Sequence, residues 1–391
     1  MKFFRNIYAA LNRELQTVCR RPIWLAVTLF LPLVAFLFFG VIFREGAPRN
    51  LPVAVVDNDH SELSRQLVQM FDATATSEVA YMPASMDEAE ELMYRGKVEA
   101  IVLIPREFEK SILSLSPTEV VAYISGMNIS VNGLLNKDLQ TVVSTFSAGV
   151  EIQMLMKKGL SEKMAYAQMM PVSFDCHVLF NPYINYAYYL VPSFMPMMLM
   201  IFALVATIFV IGIELKEKTA GEWMRVSGGS VLAALIGKLL PTTVMMSAMC
   251  LLMDTIMYKW IGVPMAGSHL LLLAGSLLFI LAYQSLGVLF ITVLCNLRLA
   301  LSIGGGYSVL AFTFSGLTFP LMAMSWPMRW FSKIFPFTYY TDLFLDQAMR
   351  GAPAVYSLKY LACIAMFVIL PMLCLPRLKR VATDQKYWGR M

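Results

Sequence analysis

Histidine occurs only three times in this 391-residue chain, at His60, His177 and His269. No two of them have the spacing of a zinc pair, which excludes a metallopeptidase of that type. A phosphate-binding loop is missing too. Gly237-Lys238 looks like the end of one, but Leu239 replaces the required Ser or Thr, and Leu232 stands where the first Gly belongs. Of six cysteines only Cys176 falls between residues 44 and 186, so no disulfide can form within that segment and its fold must rest on an apolar core. Charge is scarce as well: charged residues make up 15% of the chain, against about 25% in soluble proteins. From Cys176 to Ile213, and again from Ile261 to Leu297, there is no Asp, Glu, Lys or Arg. Ion-coupled transporters depend on ionisable groups inside the membrane, so proton or sodium coupling is disfavoured. A membrane-embedded enzyme is disfavoured for the same reason, because catalysis gathers titratable groups in a pocket. Lys238 and Asp254 are the exceptions, and their places near the two ends of an apolar run predict snorkelling to the interface.

What is present is hydrophobic sequence, 58% of the residues with a mean hydropathy of +0.64, the composition of a polytopic membrane protein. Pro22 to Phe43 carries no charge over 22 residues, which spans about 33 Å against a hydrocarbon core of about 30 Å. Further spans are expected at about 187–213, 231–258, 270–294, 300–317 and 358–375. The N-terminal segment holds Lys2, Arg5, Arg13, Arg20 and Arg21 against Glu14, and the tail holds Arg377, Lys379, Arg380, Lys386 and Arg390 against Asp384. Basic flanks are retained in the cytoplasm, so both ends are expected inside and six crossings satisfy that parity. The apolar core is too long for a signal peptide and no small-x-small site follows it, which favours an uncleaved anchor. The fold class expected is a polytopic α-helical membrane protein with six transmembrane helices and an inserted α/β extracytoplasmic domain. Its parts are a cytoplasmic amphipathic segment 1–21, a first helix 22–43, the inserted domain 44–186, helices two to six within 187–376, and a basic tail 377–391.

The inserted segment has 11 basic and 18 acidic residues, a net charge of −7. The basic residues of the ends therefore answer to topology and anionic lipid headgroups, and no nucleic-acid surface is expected. Leu51–Asp57 reads as a buried strand closed by an Asp-Asn-Asp turn. Ser61 is placed to cap a helix carrying Leu63, Leu67, Val68 and Phe71. Strands near Val79–Met82, Ala100–Ile104 and Val120–Ile124 alternate with helices over Met86–Tyr94 and after Pro105, which predicts a small α/β sheet. A long helix over Val131–Lys158 and a last strand at Phe174–Phe180 complete it. Adjacent Cys176 and His177 would point to opposite faces of that strand, so no metal site is expected. No Gly-rich loop follows Asp57, and a structural or docking role is favoured over ligand binding.

Two segments stand out between the spans. The loop 214–230 includes Glu214, Lys216, Glu217, Lys218, Thr219, Glu222 and Arg225, with Trp223 and Met224 on a short helical face. A solvated loop explains the charges, whereas an exposed Trp-Met pair suits a groove in a cytoplasmic partner. After the fifth expected span, about 318–345 is apolar but broken by Pro320, Pro327 and Pro336. Irregular backbone at membrane depth needs cover, which predicts a re-entrant outer hairpin. Trp326, Trp330, Tyr339 and Tyr340 would then lie at the headgroup level. The run Met195-Pro-Met-Met-Leu-Met200 is read as packing, since methionines occur throughout the chain.

These segments, with Phe180-Asn-Pro182, Leu190-Val-Pro192, Gly237-Lys-Leu-Leu-Pro241, Ser315-Gly-Leu-Thr-Phe-Pro320 and Phe335-Pro-Phe-Thr-Tyr-Tyr340, resemble the permease subunits of type-2 ABC exporters, in the branch with a large domain between the first two spans. The resemblance runs over the whole chain. It implies that 214–226 is a coupling helix docked on an ATPase, and that Gly316, Phe319, Pro320, Trp326, Pro336, Tyr339 and Tyr340 belong to an outer exit gate. One departure is that the usual Glu-(Arg/Lys)-Gly-Thr-x-Glu pattern reads Glu217-Lys-Thr-Ala-Gly-Glu222 here. The family further implies a nucleotide-binding subunit that holds Mg-ATP, with no cofactor on this chain, and a second permease chain. In a two-membrane envelope it adds a periplasmic adaptor and outer-membrane channel. The expected setting is the bacterial inner membrane, and the expected cargo a drug, lipid or other amphiphile. The rival reading is a membrane-anchored receptor or scaffold whose outer domain tethers an envelope component.

Overall fold

A computed structural model of the chain describes every residue except 1, 19, 45, 47, 115, 170–178, 182–184, 370–372 and 390–391. The chain divides into two compact units, one formed by Met1–Gly46 with Asn185–Met391 and the other by Ala47–Ile184.

The first unit begins with an amphipathic helix, α1 (Lys2–Val18), and α2 (Pro22–Ile42), which contains a π-turn at Ala26–Phe30. The second unit supplies β1 (Leu51–Asp57), α3 (Glu62–Asp72), β2 (Ser77–Tyr81), α4 (Met86–Tyr94), β3 (Ala100–Ile104), α5 (Phe108–Leu113), β4 (Val121–Ile124), α6 (Ile129–Lys157) and α7 (Glu162–Met169). Its four strands lie in the order β2-β1-β3-β4. β1 is parallel to both neighbours and β4 antiparallel to β3. Alternation along β1 sends Val53 and Val55 to a core shared with Leu67 and Phe71 of α3 and Leu135 and Phe146 of α6. Ala54 and Val56 face Ala89 of α4 on the other side, as a period of two requires. Ser61 Oγ caps α3 by accepting from Ser64 N at 3.1 Å. The Asp57 carboxylate is used up in the turn, accepting from the backbone N–H groups of Asp59 and His60 and from Ser64 Oγ. Of the last strand expected in this unit, 174–178 lies outside the described residues, and Leu179 and Phe180 are not in a strand.

The chain rejoins the first unit beside its point of departure, where Gly46 O accepts from Ala187 N at 3.0 Å. There follow α8 (Tyr186–Lys216), the short α9 (Ala220–Val226), α10 (Val231–Ile261, with a π-turn at Ile256–Ile261), α11 (His269–Leu294) and α12 (Leu297–Thr313). The chain then forms α13 (Trp326–Ser332), α14 (Pro336–Phe344), α15 (Ala354–Ile369) and α16 (Leu375–Thr383). Among the described residues, α2, α8, α10 and α11 are long and apolar enough to cross a membrane, while α12 and α15 are shorter apolar helices. The fold is thus mostly helical with a small sheet, and the length criterion supports four spans where six are expected. α8 runs through the middle of this unit: Val191, Met195, Leu199, Leu204, Ile208 and Ile211 along it are all buried. Phe194 of the same helix stacks on Phe39 of α2 at 5.5 Å and tilts on Phe312 of α12 at 5.4 Å.

Candidate functional site

Four charged residues of the first unit, Arg13, Glu14, Glu214 and Lys238, converge where α1, the end of α8 and the start of α10 meet. α1 approaches α10 closely because residue 237 is Gly. A Cβ there would stand 2.6 Å from Ala10 Cβ, 2.7 Å from Ile7 O and 2.9 Å from Leu11 N. This contact brings the adjacent Lys238 against α1. Its Nζ donates to Glu14 Oε2 at 2.5 Å and to Glu214 Oε1 at 2.8 Å. Arg13 grips Glu214 with both guanidinium arms, Nη1 to Oε1 at 2.8 Å and Nη2 to Oε2 at 3.1 Å. Thr219 Oγ1 adds a bond to Glu214 Oε2 at 2.5 Å. Two acids and two bases thus close a neutral group. The side chains of Glu14, Glu214 and Lys238 are only 4%, 1% and 1% exposed, so it lies out of water. Such pairing is what a buried charge demands.

Electrostatics within the cluster are uneven. Burial raises the pKa of Glu14, and the nearby Glu214 charge adds to the effect, while Lys238 acts in the opposite direction. For Arg13, burial works against the charge, but the hydrogen bonds and charge of Glu214 outweigh it and the pKa rises further. Lys238 also lies over the Trp223 ring, 5.5 Å from its centroid, a cation–π contact that helps hold the ammonium away from solvent.

The 214–230 loop is built on this cluster. Trp223 and Met224 are 1% and 3% exposed, and Trp223 Nε1 donates to Ala234 O at 3.2 Å. This corrects the expectation of an exposed Trp-Met pair. The ring packs inward because the helix starts straight after a tight turn, with Lys218 at φ +62° and Thr219 N bonded to Glu214 O. Lys216, Glu217, Lys218, Glu222 and Arg225 face outward. Arg21 Nη2 reaches Glu217 Oε2 at 2.5 Å, and Arg13 Nε lies 4.0 Å from Glu222. The segment after α16 packs on the same loop: Gly389 N donates to Leu215 O at 2.9 Å, and a Cβ on Gly221 would meet the Trp388 ring at 2.8 Å. Lys238, expected to snorkel, is instead buried and paired. Asp254 is half-buried, its Oδ1 enclosed with no partner among the described residues.

The residues of the expected gate are divided by their surroundings. Trp326 and Trp330 are 68% and 54% exposed and pack edge to face at 6.2 Å. Phe319 and Pro320 are exposed, and Gly316 turns with φ +92°. Pro336 starts α14 and is buried. Tyr339 is half-buried, its hydroxyl donating to Lys333 O at 3.1 Å. Tyr340 departs from the expected headgroup position. It is 1% exposed, stacks on Phe279 at 4.2 Å, and its hydroxyl lies 3.0 Å from Ser276 Oγ.

In the sequence Arg13 and Glu14 read only as topology signals. The available clue was a lone acid among basic residues on an amphipathic helix, together with one Lys inside an apolar run that contains no acid of its own until Asp254.

The model of the family described as "ABC-2 family transporter protein" matches residues 22–373. The chain belongs to the ABC-2 transporter family. As a member of that family it is similar to the "Probable multidrug ABC transporter permease YbhR" of Escherichia coli strain K12, with 22% identity over 355 residues that cover 88% of this chain and 92% of the relative. The YbhR permease of Escherichia coli O157:H7 gives the same figures. An ABC-2 membrane subunit is ordinarily the non-catalytic part of its transporter, and the apolar helices of this chain agree with a membrane location.

Proposed function

We propose that this chain is the membrane-spanning permease of an ATP-driven exporter that moves a drug, lipid or other amphiphile out of the cytoplasm or inner membrane. The observation that carries the reading is the buried Arg13–Glu214–Lys238–Glu14 cluster directly behind the 214–230 loop, in a chain that matches the family over most of its length. A separate nucleotide-binding subunit, loaded with Mg-ATP, docks on the outward polar face formed by Lys216, Glu217, Lys218, Glu222 and Arg225. Since no aromatic anchor faces outward from the loop, recognition there is by charge of both signs. The cluster fastens the loop to α1, α8 and α10 at once, so a push on α9 moves three elements together instead of bending one. The relative's name, a multidrug permease, supports lipophilic drugs as one class of cargo.

The full arrangement proposed has six crossings, with α12 and α15 completing the set, both chain ends in the cytoplasm of a bacterial inner membrane, and the 47–184 unit outside. Two permease chains pair, and in a two-membrane envelope the outer units meet an adaptor and outer-membrane channel. The test is co-purification with the ATP-binding subunit and measurement of ATPase stimulation by lipophilic cargo. Glu222→Lys combined with Arg225→Glu should lower stimulation by about tenfold, the effect of roughly 1.4 kcal/mol at the docking face, with the chain still inserted. Full stimulation in that variant would sink the proposed docking face.

A further inference from the structure

On the side of α10 away from the charge cluster lies a cavity of about 290 Å³, walled by α10, α11, α15 and Leu375 at the start of α16. Its walls are apolar, with Leu235 and Leu239 from α10, Val288 from α11 and Val368 from α15, and its polar members are uncharged. The α10 residues that line it fall within 232–243 at intervals of three and four, a single stripe of the helix. At 100° per residue, Gly237 and Lys238 fall on the opposite side, facing α1 and Glu14.

Gln284 lines this cavity and is 2% exposed. The Thr243 hydroxyl, shared with the Leu239 carbonyl at 2.9 Å, also donates to Gln284 Oε1 at 2.9 Å. That bond holds the amide, and leaves Nε2 buried with no partner among the described residues. An unpaired amide in an apolar setting costs several kcal/mol by transfer measurements, and neither of the lining hydroxyls, Thr243 and Ser285, bonds to Nε2.

We infer that the cavity is a binding site for an uncharged lipophilic small molecule carrying a hydrogen-bond acceptor, such as a ketone, ester or amide carbonyl, that meets Gln284 Nε2. A charged ligand has no counter-ion among the residues that line the cavity. A phospholipid fits poorly because Gln284 lies ten residues before the end of α11 at Leu294, about 15 Å along the helix. That depth is near the middle of a 30 Å hydrocarbon core, whereas lipid ester carbonyls lie at its edge. The volume agrees, since it matches the small end of ligand cavities, about 300 Å³. A role as first stop for a compound taken from the bilayer rests on the export reading. The binding itself does not, and it is measured without nucleotide or partner subunit.

Benzophenone is a suitable probe, being uncharged, lipophilic, a carbonyl acceptor and photoreactive. The full chain in phosphatidylcholine nanodiscs is irradiated with it and the labelled peptides mapped by mass spectrometry. Labels should fall on the 232–243 and 281–288 segments. Gln284→Leu, which keeps the volume and removes the donor, should reduce labelling about fivefold, the scale of one neutral hydrogen bond. Leu239→Trp should fill the space and reduce it more than about tenfold, and diphenylmethane, lacking the carbonyl, should compete about fivefold less well than phenyl benzoate, an ester of similar shape that keeps a carbonyl acceptor. Labelling confined to other segments would overturn the site. Unchanged labelling in Gln284→Leu would overturn the acceptor requirement even if Leu239→Trp failed to fold. Labelling seen in detergent but abolished by phosphatidylcholine would assign the groove to lipid and overturn the small-molecule occupant.

Discussion

Glu214 accepts from Arg13 and Lys238 together, so one carboxylate at the end of α8 neutralises cations from two other helices. Glu214→Gln removes that charge and leaves Lys238 with Glu14, and Arg13 with only the more distant Glu222 besides. Breaking a buried pair costs about 3–5 kcal/mol. The partial exposure of Arg13, 17%, allows water to relieve some of it and sets the expectation at the lower end. Thermal unfolding of the purified chain, followed by reaction of the buried Cys250 and Cys295 with a thiol dye, should show a marked drop in the midpoint. An unchanged midpoint would mean that the cluster does not hold these helices together.

Glu14 should behave in the opposite way. Its pKa is raised in the folded chain, chiefly by burial, so the ionised form is disfavoured relative to the unfolded state. Stability from this group is therefore fully present below the unfolded value of about 4.3 and is lost as pH rises through the higher folded value. Glu14→Gln lacks this term. The wild-type midpoint should fall relative to that of the variant as pH climbs above the ordinary carboxylate range, and the two curves should run parallel at still higher pH. Curves that stay parallel throughout would remove burial as the governing influence on Glu14.

Much of the fold could be read from sequence because it rests on local rules. The inner strands β1 and β3 are short continuous apolar runs buried on both faces, Ser61 has the chemistry of a cap, and Pro22–Ile42 lacks charge. The site was legible only in part, since Lys238 and Glu14 are 224 positions apart and no local pattern pairs them. Trp223 misled for a related reason. Its helix, Ala220–Val226, has too few turns to show periodicity, and its inward direction is set by the turn at Lys218 and the Ala234 carbonyl. Tyr340 was assigned by composition, but its partners Phe279 and Ser276 come from a distant helix.

Because Trp223 packs inward, its indole N–H serves the fold instead of a partner. Trp223→Phe keeps most of the ring volume and removes the bond to Ala234 O. The expected cost is about 1 kcal/mol, with part of the contact to Lys238 retained since Phe also offers a π face. Affinity for the ATP-binding subunit, measured by pull-down at graded salt, should remain within about twofold. A loss of binding with no change in stability would restore the exposed-anchor reading.

Gly237 sets the distance between α1 and α10. In Gly237→Ala the new methyl would meet Ile7 O at 2.7 Å and Leu11 N at 2.9 Å, and backbone atoms cannot rotate aside. α1 must shift outward, at a cost of roughly 1–3 kcal/mol for an overpacked contact. Limited trypsin digestion should then release the N-terminal segment at Arg20 faster than in wild type, the Arg21–Pro22 bond being resistant. Identical cleavage rates would show that the helices tolerate a wider separation without loosening.

Gly46 and Asn185, the residues of the membrane unit that border the inserted segment, are neighbours. Gly46, at φ +77°, packs against the Asn185 side chain, and its carbonyl accepts from Ala187 N at 3.0 Å. Domains inserted at such neighbouring ends can be removed with little effect on the host. Deletion of 47–184, with two glycines joining Gly46 to Asn185, should leave a chain that inserts and elutes as a single species in detergent. The unfolding midpoint should still respond to Glu214→Gln, because every member of the charge cluster lies outside the deleted segment. The segment 47–184 made alone should be soluble, since its core of Val53, Val55, Leu67, Phe71, Leu135 and Phe146 closes within itself and needs no disulfide. Aggregation of the shortened chain, with 47–184 well folded, would show that the membrane helices depend on the insert. The two units would then have to be treated as one cooperative structure.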